Sequence, residues 1–205
     1  YKSFDRPIEL VRIPVAQTGL EFQPRNVGDG QIIGAEFEFR KSLDFISPSL
    51  TNFSFTGNVT VVESKIDMSI TEFEARKEFE KNGETIDQTR EMAGQAPYII
   101  NSGLSYNNQD IGLEAGLFYN VKGATLVIVG GGLTPDVFSE PFHSLNFNVN
   151  KTLGEEQRTT INFGVSNLFN DVREEFFTGF NATDQYYSRF SPGTSFSFGV
   201  NYNIF

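Results

Sequence analysis

Leu145-Asn146-Phe147-Asn148-Val149-Asn150 alternates apolar and polar residues without a break. The same beat runs through Ile33, Ala35, Phe37 and Phe39 against Gly34, Glu36 and Glu38. It returns at Phe53, Phe55, Val59 and Val61 against Ser54, Thr56, Asn58 and Thr60, and at Ile161, Phe163 and Val165 against Asn162, Gly164 and Ser166. Strand side chains point alternately to opposite faces, so each run presents one apolar wall and one small, polar wall. Many such strands in succession describe an antiparallel sheet with two unlike faces.

The composition indicates what those faces meet. The chain has 205 residues and no marked internal boundary, which suits one domain. It has no Cys, so disulfides and thiolate metal sites are excluded. No apolar stretch approaches the roughly 20 residues of a membrane-spanning helix. Yet there are 22 Phe and 7 Tyr, beyond the needs of a soluble sheet, and aromatic girdles at two membrane interfaces account for them. The reading is all-β: an antiparallel transmembrane β-barrel wall in a bacterial outer membrane, apolar face to lipid. Alternation alone does not say which wall faces inward, so a soluble carrier barrel with its apolar wall inside stays an alternative. The net charge of −10 argues against a nucleic-acid partner. Tyr1-Lys2-Ser3-Phe4 reads as mid-strand rather than as a signal peptide, so an export signal is expected to have been trimmed or to be missing.

About eight long strands are expected, with short periplasmic turns alternating with long outer loops. They are placed at residues 1–13, 31–45, 52–67, 98–106, 111–129, 144–153, 159–169 and 194–205. Loops run through Pro14, Gly19 and Pro24, through 68–97, through Gly130-Gly131-Gly132 and Pro135, and over the aromatic stretch 172–193. Short turns fall at 46–49, 107–110 and Gly154-Glu155-Glu156. Within the loop 68–97, Thr71 with Glu74 fits a capping box, Gly83 a helix stop, and Arg76 with Glu80 a helical pair, although a solvated charged loop is the expected state.

Candidates for chemistry are few. His143 is the single histidine, beside Pro141 and Phe142 at a strand start, where an interfacial surface role is expected. No Gly-x-Ser-x-Gly elbow occurs, and the glycines of 28–34 open a strand rather than a helix. Asn58-Val59-Thr60 and Asn181-Ala182-Thr183 match the glycosylation triplet by accident of polar strand faces. No catalytic residue, metal site or cofactor is expected. Glu36, Glu38 and Glu114 belong to the polar wall, with Arg40 as the cation nearby. A closed barrel of about eight strands must fill its interior with side chains. Asn, Gly, Ser and Thr fill little space, and unpartnered carboxylates inside are costly. A wide barrel plugged by a separate basic element answers both points; solvated glutamates in a narrow lumen are the alternative.

Several blocks, in order, resemble TonB-dependent outer-membrane transporters in a Bacteroidota-like form. They are Gly34-Ala35-Glu36-Phe37-Glu38 after Asn26-Val27-Gly28-Asp29-Gly30, then 93–106, then Val165-Ser166-Asn167-Leu168-Phe169-Asn170, then Ser191-Pro192-Gly193 leading into Phe196-Ser197-Phe198-Gly199-Val200-Asn201-Tyr202. The resemblance implies the C-terminal part of a barrel of about 22 strands over residues 1–205, with plug domain and earlier strands outside this chain. It implies energised uptake of a large scarce solute, such as an iron-siderophore, cobalamin or a glycan. The implied partners are the rest of the barrel, the plug, TonB acting through the plug, outer-membrane lipid and a surface lipoprotein. It carries a plug-arginine contact onto Glu36, with Glu38 and Glu114 on the same lumen wall. It also carries an assembly signal onto Phe198, Tyr202 and Phe205, the last one residue off the parity of Phe196, Phe198, Val200, Tyr202 and Ile204. Phe176, Phe177, Phe180, Tyr186, Tyr187 and Arg189 are expected to form an outer interface girdle, or alternatively a rim that binds the solute. Two further functions stay open on the residues themselves. One is a self-contained small barrel with a structural or adhesion role, and the second is an outer-membrane barrel enzyme resting on His143.

Overall fold

A wall of seven long antiparallel strands carries the molecule: β4 (Gly30–Ser42), β5 (Phe53–Asp67), β7 (Tyr98–Asn108), β8 (Leu113–Lys122), β11 (Phe142–Leu153), β12 (Thr159–Ser166) and β15 (Ser195–Tyr202), each paired to the next. Two short strands join it: β1 (Lys2–Phe4) lies on β4, and β6 (Thr89–Arg90) on the end of β5. The computed structural model describes residues 1–14, 20–78, 80, 82–130, 135–154, 156–178 and 183–204. Readings that rest on Gly19, Gly131, Gly132, Glu155, Phe180, Asn181, Ala182 or Phe205 lie outside the described residues.

The register aligns the alternating pattern from strand to strand. Phe37 stands opposite Val59, Val59 opposite Ile100, Ile100 opposite Val121, and Val121 opposite His143. One residue along, Glu38, Asn58, Asn101, Asn120 and Ser144 form the corresponding row on the other face. Because the side-chain period is two, a slip of one residue would exchange the faces, so the pattern itself fixes this register. Phe37 is 68% exposed and Phe198 73%, so the apolar face is not the packed core of a soluble sheet.

Short turns close one end. The turn after β7 relies on Gly112, whose φ is +61°, and a Cβ there would stand 2.8 Å from the Thr152 carbonyl oxygen. The turn after β4 is two 3-10 segments, Leu43–Phe45 and Pro48–Leu50, capped by Ser42 and Ser47.

At the other end the wall strands break and continue into a second, six-stranded sheet. Its order is β14 (Gln185–Phe190), β13 (Arg173–Thr178), β10 (Asp136–Ser139), β9 (Thr125–Gly130), β2 (Ile8–Pro14) and β3 (Leu20–Asn26). This corrects the strand reading. The expected strand 1–13 is two strands in two sheets, because Arg6 at φ +41° and Pro7 interrupt it. The expected strand 111–129 divides at Gly123. The stretches 14–24 and 172–193 contain hairpin strands rather than irregular loop only, and Pro24 is tolerated because β3 is an edge strand.

Asn167 fastens one of these breaks. It is buried, with φ +54°, a conformation Asn accepts more readily than most residues. Its Nδ2 donates to the carbonyls of Asp171 (3.0 Å) and Gly193 (3.1 Å), and its own N–H donates to Asn146 Oδ1 (3.1 Å). The helix α1 (Ile70–Lys77) is capped by Ser69, not Thr71, and ends well before Gly83. Leu126, Val129 and Val137, with Ile66 from the wall, form the buried apolar centre of this outer cap.

Candidate functional site

The polar face of the wall brings the expected carboxylates onto one surface. Glu36, Glu38 and Glu114 share its parity, as do Arg40 and also Lys122, a second cation that the sequence pattern did not single out. A depression of about 240 Å³ opens on this face, lined among others by Glu38, Thr56, Asn58, Asn101, Phe118 and Asn120.

The amides on this face bond one another. Asn201 Nδ2 donates to Asn162 Oδ1 (2.7 Å), Asn162 Nδ2 to Asn150 Oδ1 (2.9 Å), and Asn150 Nδ2 to Glu114 Oε2 (3.5 Å). Asn120 likewise donates to Asn101, and Asn58 Nδ2 to Glu36 Oε1 (2.6 Å). The carboxylates of Glu36 and Glu114 are therefore not orphans, contrary to the expectation; Glu38 has no hydrogen bond or ion pair among the described residues. Phe118 is the unexpected member of the wall. Its ring lies over Gly103 and Gly116, where any Cβ would collide with it, and 42% of the residue stays exposed on the polar side. Its even position gave the signal, since it falls on the polar beat between Gly116 and Asn120.

The outer cap holds a second constellation, which local sequence did not announce. The Arg90 side chain, 2% exposed, meets Glu72 Oε1 through Nε (2.6 Å) and Glu9 Oε2 through Nη2 (2.7 Å). Arg76 Nη2 meets Asp136 Oδ2 (2.5 Å), with Glu72 at 3.7 Å. The second oxygens are used as well: Ala93 N donates to Glu9 Oε1 (2.9 Å) and Gly130 N to Asp136 Oδ1 (2.8 Å). Burial pushes the Asp136 carboxyl up, against the opposing pull of Arg76, and burial also raises Glu91. Burial lowers Arg76; it works the same way on Arg90, but there the contacts with Glu9 and Glu72 together outweigh it and leave the group raised. Within the segment expected as a solvated charged loop, Arg90, Arg76 and Glu72 thus form a buried ionic junction whose partners Glu9 and Asp136 come from distant parts of the chain. Arg76 takes Asp136 and Glu72 where the helix reading paired it with Glu80.

The outer aromatic group is a strand pair. Phe176 stacks on Tyr186 with ring centroids 4.5 Å apart, Phe177 meets Tyr187 edge-on at 5.2 Å, and Arg189 lies over Tyr186 while pairing with Glu174 (2.9 Å). His143 sits on the apolar face, its Nδ1 2.7 Å from the Tyr119 hydroxyl, with Phe169 beyond Tyr119. Phe198 and Tyr202 stand with Phe196 and Val200 on the apolar face of β15.

The model of the outer membrane protein beta-barrel family matches residues 2–202. The chain belongs to that family. It is a wall of a β-barrel protein of the bacterial outer membrane. No curated protein matches it in sequence. Among solved structures it is similar to the unliganded ferric citrate transporter FecA, at 15% identity and a TM-score of 0.59, over 95% of this chain and 27% of that one. It is similar also to the FrpB iron transporter from Neisseria meningitidis, at 15% identity and a TM-score of 0.54, over 98% of this chain and 26% of that one. The family member described here thus spans about a quarter of the length of these two chains. The antiparallel β-barrel wall expected from the resemblance is the fold found.

Proposed function

We propose that this chain is the C-terminal wall segment of a TonB-dependent transporter, taking up a large scarce solute such as an iron chelate, cobalamin or a glycan. The observation that carries the reading is the pairing of an exposed apolar face with a polar face that bears Glu36, Glu38 and Glu114 and is too lightly furnished to fill a narrow lumen. The sheet order supports further strands, since β1 and β15 are its two ends and do not pair with each other among the described residues. Open backbone edges are untenable in hydrocarbon. In this reading lipid covers the phenylalanines, and a lumenal plug covers the glutamates. Glu36 and Glu38 receive a basic group of the plug, and TonB acts through the plug. Phe176, Phe177, Tyr186, Tyr187 and Arg189 stand in the outer sheet, where an arriving solute first meets the protein, and a surface lipoprotein would contact the same side. Phe198 and Tyr202 serve as the assembly signal. No bond is made or broken.

The test uses the native polypeptide in its own outer membrane. Solute uptake should stop when TonB is removed or the proton gradient is collapsed, and Glu36→Gln should weaken plug retention. A chain of residues 1–205 that alone forms a heat-modifiable closed barrel in detergent would establish the small-barrel alternative and end the transporter reading.

A further inference from the structure

The wall and the outer sheet are separated by a belt of backbone breakers. Every described crossing between the two sheets carries at least one of Gly, Pro or a residue at positive φ. Arg6 (φ +41°) and Pro7 lie between β1 and β2, and Gly28 between β3 and β4. Gly123 lies between β8 and β9, and Pro141 between β10 and β11. Asn167 (φ +54°) and Asn170 (φ +52°) lie between β12 and β13, and Pro192 and Gly193 (φ +70°) between β14 and β15. Among the described residues no ladder pairs the two sheets across this belt, so what joins them beyond the crossings themselves is bonds such as those of Asn167 and any segment that spans the belt.

One such segment, residues 89–97, fastens the outer sheet. Its strand β6 belongs to the wall, with Ile66 opposite Arg90 and Asp67 opposite Thr89. Met92 N donates to Ser64 Oγ on the polar face of β5 (3.1 Å), so the segment folds over the polar side. From there it reaches the outer sheet three times: Arg90 to Glu9 of β2, Ala93 N to Glu9, and Gly94 N to the Leu126 carbonyl of β9 (2.8 Å). Arg90 also takes Glu72 of α1, whose Arg76 holds Asp136 of β10. Three separate parts of the outer cap, β2, α1 and β10, thus converge on two buried guanidinium groups.

We propose that residues 89–97, with Arg90 at their centre, are a bolt that holds α1 and the outer sheet as one lid against the polar side of the wall. The bolt rests on the geometry above; the idea that the lid covers a passage rests on the transport reading. Removing the Arg90 charge leaves Glu9 buried without its cation and Glu72 with only the 3.7 Å contact to Arg76, which is far costlier than never burying the group. The lid should then open as one cooperative unit while the wall stays closed.

Amide hydrogen exchange on the full-length protein in nanodiscs tests this. In Arg90→Met, peptides covering 8–14, 125–130 and 136–139 should all exchange faster by a common factor, roughly a hundredfold. Peptides covering 145–152 of the wall should not change. Unequal gains among the three outer strands, a gain confined to 89–97, or an equal gain in the wall would each overturn the proposal. Should Arg90→Met not be recovered folded, Glu9→Gln, which keeps an acceptor for Ala93, should give the same pattern at about tenfold. A cysteine at Asn148, probed on intact cells with a membrane-impermeant maleimide, reports the covering role. Faster labelling with Arg90→Met supports it, and unchanged labelling alongside a loosened lid overturns that role. None of these readouts involves transport, so failure of the uptake experiment leaves them interpretable.

Discussion

Arginine at Phe147 should cost the folded barrel far more than arginine at its neighbour Asn148. The twelve residues of β11, at roughly 3.4 Å each, extend about 40 Å. With the usual tilt of about 45° they stand about 29 Å high, slightly more than the roughly 25 Å apolar band of an outer-membrane barrel. Phe147 is the sixth residue of that strand and so lies near mid-depth, between Leu117 and Val165 on the apolar face. Arginine facing lipid at mid-depth costs about 2–4 kcal/mol. Asn148 points to the polar face, between Gly116 and Gly164, where a longer side chain meets water and the change should stay within about 0.5 kcal/mol. The two variants share backbone, strand and added charge, so a difference of about 3 kcal/mol, more than a hundredfold in folding equilibrium, isolates the face. The measurement is urea titration of the full-length protein in liposomes, scored by the gel shift between unheated and heated samples. Equal losses for the two variants, or a greater loss for Asn148→Arg, would refute the assignment of lipid and water to these faces.

Further consequences can be checked alongside it. Gly103→Val should destabilise by about 1–3 kcal/mol, because a Cβ there would come within 2.7 Å of the Phe118 ring, and Phe118→Ala should recover much of that loss in a double-mutant cycle. The Asp136 carboxyl is raised by burial, so its stabilising contribution is fully present below its unfolded pKa and is lost as pH rises through the folded one. Protease protection of the outer cap on intact cells should therefore fall as pH rises above the ordinary carboxylate range, and Asp136→Asn should flatten that dependence. Asn162→Ala should cost about 1 kcal/mol or less in the same urea titration, since the amides it releases can turn to water. Replacing both Phe198 and Tyr202 with serine should lower the amount of heat-modifiable protein reaching the outer membrane.

Parity carried most of the wall. A run such as Leu145 to Asn150 specifies both its strand and its two faces, because the period of two leaves one register that keeps Leu145, Phe147 and Val149 together off the polar side. The outer sheet was hidden for a related reason. Apolar residues return on the beat of Phe4 at Ile8 and Leu10, and on the beat of Val121 at Val127 and Val129, so nothing in the alternation shows that Pro7 and Gly123 redirect the chain. Pro24 read as a loop marker because its role depends on which strand edge is free, a property of topology and not of neighbours. The ionic junction was beyond local reading altogether. Arg90 and Arg76 look like surface charges until Glu9 and Asp136 arrive from distant segments. Glu36 and Glu114 were legible as polar-face residues, while the amides that satisfy them sit on neighbouring strands, at registers the alternation does not state.

The asparagine chain from Asn201 to Glu114 has a consequence for anything that moves beside it. Each amide has committed one N–H to the next and keeps a second N–H and a carbonyl lone pair, so the surface is tied together sideways while still meeting water and other polar groups. A neutral hydrophilic body passing over Asn201, Asn162 and Asn150 can trade hydrogen bonds with them one at a time, while Glu114 at the end of the row carries the charge. On the proposed transport reading, low friction rather than recognition is what the three asparagines contribute.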